Sequence, residues 1–274
     1  MTNTGSLRKM VAALQSPVAY RLPLGEALLP LNTLLGKSLM LSYTGAIHCI
    51  ACGRKTSKSF NQGYCYPCLR RLARCDSCII KPEQCHFHAG TCREPDWAQT
   101  HCMQAHIVYL ANSSGVKVGV TRQTQVPTRW IDQGATQALA VFQVKNRYVA
   151  GLLEVALKNH VGDKTNWRAM LKGRPERADL AARREALRAE CENEVSELET
   201  RFGEGAVRYL ADGEQIEINY PVEHYPDTVR ALGFDKTPQI TGTLLGIKGQ
   251  YLILDTGVLN IRKFAGYEVG VTAG

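Results

Sequence analysis

The chain has 274 residues, a formal net charge of +8, and 45% hydrophobic against 21% charged residues. This composition is typical of a folded protein with one large or two to three small domains, and it excludes a disordered or fibrous chain. No apolar run approaches the ~20 residues that span a bilayer, and the N-terminus lacks the apolar core of a signal peptide. We therefore expect a cytoplasmic protein with no membrane partner.

The positive charge is concentrated in the first 175 residues. They contain 22 Lys and Arg against 8 Asp and Glu, a balance of +14, whereas the rest contain 11 against 17, a balance of −6. Because phosphates respond to local rather than total charge, this asymmetry favours a polyanion-facing surface in the first part of the chain. A solvated basic face is the alternative that charge alone leaves open.

In chain order, the elements predict a multi-domain α+β protein. Alternating apolar and polar residues, punctuated by Gly and Pro, predict an N-terminal β segment over residues 1–48. Residues 49–106 contain nine of the ten cysteines and little periodic apolar sequence, which indicates a zinc-organised module without a core of its own. The order strand, strand, helix, strand, helix across residues 107–175 predicts an α/β unit.

Two further elements complete the predicted organisation. Residues 176–205 predict one long amphipathic helix whose apolar stripe includes Cys191, which we expect to be a buried hydrophobe and not a ligand. That stripe suits either the protein's own core or a second copy of the chain, so the oligomeric state stays open. Residues 206–274 predict a small β-barrel or sandwich, with which the N-terminal strands are expected to pair.

Cysteine spacing provides the strongest motif. Two Cys-x2-Cys pairs separated by twelve residues place four thiolates at tetrahedral corners around a structural zinc ion, and in a reducing compartment free thiols favour metal over disulfides. The four predicted ligands are Cys49, Cys52, Cys65 and Cys68. Because four protein ligands leave no open position, this metal would hold the fold and would not catalyse.

A second group of cysteines predicts a further zinc ion, for two or more in total. It begins with Cys75-x2-Cys78, and spacing alone does not choose the remaining ligands among four candidates: Cys85, His88, Cys92 and Cys102. An iron–sulfur cluster is the alternative, although this spacing departs from the usual ferredoxin runs.

The stretch that begins at Ile107 resembles the GIY-YIG nuclease superfamily over residues 107–171. Its first motif corresponds to Ile107-Val108-Tyr109 and its second to Lys117-Val118-Gly119, followed by Arg129 on a helix and then Glu154. Asn166 corresponds to the late polar residue of that fold. The whole chain, zinc knuckles included, also resembles an uncharacterised bacterial family of similar length, which implies no activity.

The GIY-YIG resemblance implies phosphodiester hydrolysis with one divalent cation, Mg²⁺ or Mn²⁺, on Glu154. Arg129 would neutralise charge on the phosphate, and Tyr109 would position or deprotonate the attacking water. The second motif of the superfamily carries a tyrosine where this chain has Lys117. A lysine at this position binds phosphate or acts as a base, or it marks a domain that has lost hydrolysis and kept binding.

The α/β unit is also rich in basic side chains, which we predict to contact nucleic acid, DNA or RNA. They are Arg122, Lys145, Arg147, Lys158, Lys164 and Arg168. The sequence thus predicts a zinc-containing nucleic-acid-binding protein, with metal-dependent nuclease activity as one hypothesis. The alternatives are a catalytically inactive RNA- or DNA-binding protein and an interaction adaptor built on zinc modules.

Overall fold

The computed structural model describes residues 2–162 and 164–274. It is a mixed α and β protein, about 29% helix and 32% strand, as the sequence predicts. Within the described ranges, no helix is long and apolar enough to cross a membrane.

The N-terminal segment and the Cys-rich module contain six strands and two short helices. They are β1 (Thr2–Ser6), β2 (Val11–Ala13), β3 (Ala19–Leu24), β4 (Ala27–Pro30), β5 (Ser38–His48), β6 (Lys55–Thr56), α1 (Tyr66–Arg71) and α2 (Pro95–His101). Between the two helices the chain forms four short 3₁₀ turns.

The α/β unit and the segment that follows it contain five helices and five strands. They are β7 (His106–Asn112), β8 (Val116–Arg122), α3 (Thr128–Asp132), β9 (Gln137–Val144), α4 (Arg147–Leu157), α5 (Trp167–Lys172), α6 (Leu180–Glu190), α7 (Glu192–Phe202), β10 (Val207–Tyr209) and β11 (Ile216–Glu217). The C-terminal strands are β12 (Gln239–Lys248), β13 (Tyr251–Leu254), β14 (Gly257–Asn260) and β15 (Tyr267–Ala273).

Three sheets organise these strands. The largest runs β1-β15-β5-β12-β13-β14, with β6 paired to β5, so strands from the two ends of the chain alternate within it. The second runs β10-β9-β7-β8, with β11 paired to the other end of β9, and the third is the meander β2-β3-β4. Because β15 pairs with both β1 and β5, the N-terminal and C-terminal β segments form one sheet.

Strand β7 separates two cores. Its side chains alternate between the two faces of the strand. Ile107, Tyr109 and Ala111 join the core beneath the largest sheet, whereas Val108 and Leu110 join the core beneath the helices. The sheet that contains β7 therefore packs against the largest sheet on one side and against α4, α6 and α7 on the other.

The predicted long helix is two helices, broken at Cys191. The break has a packing cause, because α6 lies against β9 and β7 whereas α7 lies against α4 and β10. A single straight helix cannot follow both surfaces. Cys191 itself is fully buried in the core beneath the helices.

Candidate functional site

The first cysteine cluster, comprising Cys49, Cys52, Cys65 and Cys68, forms where the β5–β6 hairpin meets α1. Its four sulfur atoms lie about 3.6–3.8 Å apart. This spacing matches the edge of a tetrahedron whose centre lies ~2.3 Å from each corner, the usual zinc–sulfur bond length. It is far longer than the ~2.05 Å of a disulfide. The donor set therefore fits a metal ion such as zinc.

Tight turns bring these cysteines together. Gly53 adopts a φ of 71° and Gly63 a φ of 131°, a left-handed region that residues with a Cβ rarely enter. At Gly63 a Cβ would also lie 2.7 Å from the side chain of Ile50. Glycine is thus required at the second turn for both backbone conformation and space.

The thiols of this cluster differ in acidity. Burial opposes ionisation of Cys49, but backbone N–H groups, first that of Cys65, lower its pKa to about 6. Burial and the neighbouring thiols raise the pKa of Cys68 to about 12. The surroundings of the thiols therefore favour ionisation of Cys49 and oppose that of Cys68, and a bound cation would favour the thiolate form of both.

The Cys75-x2-Cys78 pair is divided between two places. Cys75 packs against the first cysteine cluster, whereas Cys78 lines a separate small cavity with Cys85, Cys92 and Cys102. His88 does not line this cavity; its ring stacks on Tyr148 at 5.1 Å. The spacing predicts a second metal site centred on both Cys75 and Cys78, but the structure does not bring these two cysteines together.

An open basic cleft of about 770 Å³ lies between the Cys-rich module and the α/β unit. Within the described residues, eight cationic side chains and two carboxylates line it, a formal balance of +6. The carboxylates are Asp132 and Glu154, and the cations are Arg8, Lys9, Arg74, Lys117, Arg122, Arg129, Arg147 and Arg262. Phosphate groups are the natural counterpart of such a surface.

Three of the four predicted catalytic residues line this basic cleft: Lys117 on β8, Arg129 on α3 and Glu154 on α4. The fourth, Tyr109, lies beneath it and is fully buried. Its hydroxyl donates a hydrogen bond of 3.0 Å to Gln133 Oε1, and Gln133 itself faces the cleft.

Tyr109 fits its place because residue 119 has no side chain. Tyr109 and Gly119 are direct partners across β7 and β8, and a Cβ at Gly119 would lie 2.7 Å from the tyrosine hydroxyl. Burial raises the pKa of Tyr109, although Arg129 and Gln133 act in the opposite direction. A phenol with a raised pKa stays protonated at neutral pH, which favours a positioning role over proton abstraction.

Arg129 acts electrostatically on two other guanidinium groups of the basic cleft, those of Arg147 and Arg262. Burial lowers the pKa of Arg147, and the charge of Arg129 lowers it further although two cysteines oppose this. Burial also lowers the pKa of Arg262, and Arg129 again adds to the effect. Like charges that face each other in a partly desolvated cleft are unfavourable unless an anion lies between them.

The two carboxylates have different surroundings. Asp132 forms an ion pair with Lys9 and accepts a hydrogen bond of 2.9 Å from Gln250, so its charge is already compensated. Glu154 lies 3.7 Å from Lys158, the residue that follows the end of α4. A single carboxylate of this kind suits Mg²⁺, which keeps several waters and takes its other ligands from substrate phosphates.

The predicted nucleic-acid-binding residues are divided by the structure. Arg122 and Arg147 line the basic cleft. The other four lie outside its lining: Lys145, Lys158, Lys164 and Arg168. Arg168, for example, stacks over Trp167 at 4.4 Å. Asn166 also lies elsewhere, where its side chain caps α5 by accepting a hydrogen bond from the Ala169 N–H.

Sequence reasoning missed four cations of the basic cleft. Arg8 and Lys9 come from the N-terminal segment, Arg74 from the Cys-rich module, and Arg262 from a 3₁₀ turn before β15. The adjacent basic pair at 8–9 is a weak signal. No sequence signal marks Arg262, because its segment, residues 206–274, carries a net negative charge.

A family model described as "Protein of unknown function (DUF2797)" matches residues 36–269. No curated protein and no solved structure matches the chain. The matched range covers the Cys-rich module, the α/β unit and most of the C-terminal sheet, and so it contains most of the residues that line the basic cleft.

Proposed function

The chain belongs to the DUF2797 family of proteins of unknown function, and we propose that it binds nucleic acid in the basic cleft. In this proposal, a zinc ion on the first cysteine cluster holds one wall of the cleft. The observation that carries the proposal is the lining of that space, in which eight mutually repelling cationic side chains face two carboxylates. A phosphodiester backbone offers repeated anions that relieve this repulsion.

The composition of the walls supports a nucleic acid over a small anion. The cleft is large enough for several nucleotide groups, at about 770 Å³. The wall formed by the Cys-rich module adds Asn61, Gln62 and Tyr64 to the cations. Amide groups hydrogen-bond base edges, and a tyrosine ring can stack on a base, so phosphate and base contacts are both available.

Binding is tested by fluorescence anisotropy with labelled single- and double-stranded DNA and RNA over a range of salt concentrations. We expect salt-sensitive binding that Arg129→Ala and Arg262→Ala each weaken by about tenfold or more, since one charge-assisted hydrogen bond contributes ~1.5–3 kcal/mol. Arg168→Ala is the matched control, because this arginine lies outside the cleft lining. Absence of binding at low salt, or equal effects of all three variants, contradicts the proposal.

A second candidate function, phosphodiester cleavage, is favoured by the presence of Glu154 in the same cleft as Arg129 and Lys117. Glu154 would hold one Mg²⁺ or Mn²⁺, and the bound ion would supply Lewis-acid chemistry. Arg129 and Lys117 would bind phosphate oxygens, and Tyr109 would hold Gln133 in position at the edge of the cleft.

Cleavage is measured on the same four nucleic acids with added Mg²⁺ or Mn²⁺. We expect Glu154→Gln to abolish turnover while binding is retained. The matched control is Glu197→Gln, an exposed carboxylate on α7. If no nucleic acid is cleaved while salt-sensitive binding persists, the protein binds without catalysis, and if cleavage survives Glu154→Gln, the catalytic residue is wrongly assigned.

A further inference from the structure

Residues 76–106 fold without an apolar core of their own. None of the clusters of buried apolar residues in the described part of the chain includes a residue from this segment. The segment has one helix of seven residues and several 3₁₀ turns, and its Ile80 side chain is 77% exposed. A segment of this length without an apolar core needs another source of stability, and a bound metal ion is a common one.

Three side chains of different chemistry converge within this segment. Asp76, Cys78 and His86 place one ligand atom each within 4.8 Å of one another, and all three line the same small cavity. His86 Nε2 lies 3.6 Å from Asp76 Oδ2. Two ligands bound tetrahedrally at ~2.0–2.1 Å from a zinc ion lie ~3.3 Å apart. The three atoms are therefore spaced as ligands of one ion.

The hydrogen bonds of His86 determine which ring nitrogen carries the proton. Nδ1 lies 2.7 Å from the Thr91 hydroxyl, which itself donates to the His86 carbonyl oxygen at 3.4 Å. Nδ1–H therefore donates to Thr91, and in the neutral ring the lone pair is on Nε2. That lone pair faces the Asp76 carboxylate, which is unfavourable unless a cation lies between them. A histidine that is anchored through its other nitrogen is the usual arrangement at metal sites.

The Asp76 carboxylate is anchored in a similar way. Oδ1 accepts a hydrogen bond of 3.2 Å from the Ser77 hydroxyl, and Oδ2 pairs with Arg93 Nε at 2.6 Å. Arg93 is itself fixed, because it also donates to the Leu69 carbonyl oxygen. Each carboxylate oxygen accepts in two directions, so these contacts leave room for a metal ion. A Zn²⁺ ion with one carboxylate and one thiolate is formally neutral and would not repel Arg93.

We infer that a second zinc ion binds here, held by the Asp76 carboxylate, the Cys78 thiolate and His86 Nε2. Zinc takes oxygen, nitrogen and sulfur ligands together, whereas a thiolate does not suit a hard cation such as Mg²⁺. No fourth Cys, His, Asp or Glu of the described residues lies within the same distance of all three ligand atoms. A water molecule completes the tetrahedron, since the His86 side chain is 34% exposed and solvent reaches it.

The second site therefore differs in kind from the first cysteine cluster. Four thiolates close the first site, whereas three protein ligands leave one position of the second open to water or to an incoming ligand. The ion also supplies the stability that residues 76–106 lack as an apolar core. This assignment does not depend on whether the basic cleft binds nucleic acid.

Metal analysis of purified variants tests the ligand set. We expect about two zinc ions per wild-type chain, and about one in Asp76→Asn and in His86→Ala. Two matched controls should keep both ions. They are His88→Ala, whose ring stacks on Tyr148, and Cys92→Ser, which lines the cavity without joining the group of ligand atoms. If His86→Ala binds as many ions as the wild type, or if either control loses an ion, the inference is overturned.

X-ray absorption at the zinc edge of the wild-type protein provides a test that needs no variant to fold. With both sites filled, each zinc averages about 2.5 sulfur neighbours at ~2.3 Å and about 1.5 nitrogen or oxygen neighbours at ~2.0–2.1 Å. A shell of sulfur alone would exclude His86 and Asp76 as ligands and overturn the inference.

Discussion

Helix α4 contacts the Cys-rich module through a residue with no side chain, and Gly151→Ala tests how tightly the two are packed. A Cβ at Gly151 would lie 2.5 Å from the carbonyl carbon of Pro82 and closer still to the backbone nitrogen of Glu83. Both are backbone atoms and cannot rotate away. The module must therefore shift along the helix that carries Arg147 and Glu154.

The sign of this effect is set by two opposing contributions. Alanine in a helix interior is favoured over glycine by ~0.5–1 kcal/mol. Inserting a methyl group into close-packed backbone costs ~1–3 kcal/mol. Because the contact lies well inside van der Waals distance, we expect the clash to dominate and the free energy of unfolding to fall by about 1–2 kcal/mol.

Urea denaturation of the zinc-loaded protein, followed by near-ultraviolet circular dichroism, measures the change in the free energy of unfolding. Gly162→Ala is the matched control, since a Cβ there meets nothing within 4 Å, and we expect it to be neutral or slightly stabilising. We also expect Gly151→Ala to weaken nucleic-acid binding. If Gly151→Ala is as stable as Gly162→Ala, the module does not pack on α4 as the structure has it.

Three other outcomes follow from the structure. If the first cysteine cluster binds zinc as proposed, a strong chelator should lower the midpoint of thermal unfolding and weaken nucleic-acid binding, because the Cys-rich module forms one wall of the cleft. An unchanged midpoint would contradict a structural metal. Lys248 is fully buried, donates to the carbonyl oxygens of Met170 and Gly173, and has its pKa lowered by burial to about 8. The folded state therefore binds fewer protons than the unfolded state between about pH 8 and about 10.4. Over this range the free energy of unfolding should rise with pH, by up to ~3 kcal/mol more in the wild type than in Lys248→Met. Denaturation at several pH values measures this difference. Tyr109→Phe should cost ~0.5–1.5 kcal/mol of unfolding free energy by leaving Gln133 without its donor, and a cost below this range would mean that water replaces the hydroxyl.

Local patterns in the sequence predicted local structure well. The spacing of Cys49, Cys52, Cys65 and Cys68 predicted a cluster of four thiols, because short knuckle turns determine such a geometry without help from the rest of the fold. The stretch from Ile107 likewise predicted the first strand of the α/β unit, which the structure forms as β7. These features depend on neighbouring residues, which the sequence displays directly.

Features that depend on packing between distant segments were not predictable. Spacing allowed Cys75 and Cys78 to share an ion, but the two cysteines lie on separate 3₁₀ turns, Ala73–Cys75 and Ser77–Ile79, and contact different groups of residues. The stripe through Cys191 was compatible with one helix, and the separate surfaces beneath α6 and α7 require two. The cation of Arg262 joins the basic cleft through tertiary contacts that have no sequence signature, and the basic pair at 8–9 has only a weak one.

The place of β15 between β1 and β5 has a consequence for synthesis of the chain. Its partners in β1 lie more than 260 residues away in sequence, as Thr272 pairs with Thr2, so the largest sheet cannot close until residues 267–273 have left the ribosome. Arg262, which completes the cation crowd in the cleft, emerges only shortly before. Pairings of such separation form slowly. A nascent chain therefore lacks the contribution of Arg262 to the cleft until the last strand can complete the largest sheet.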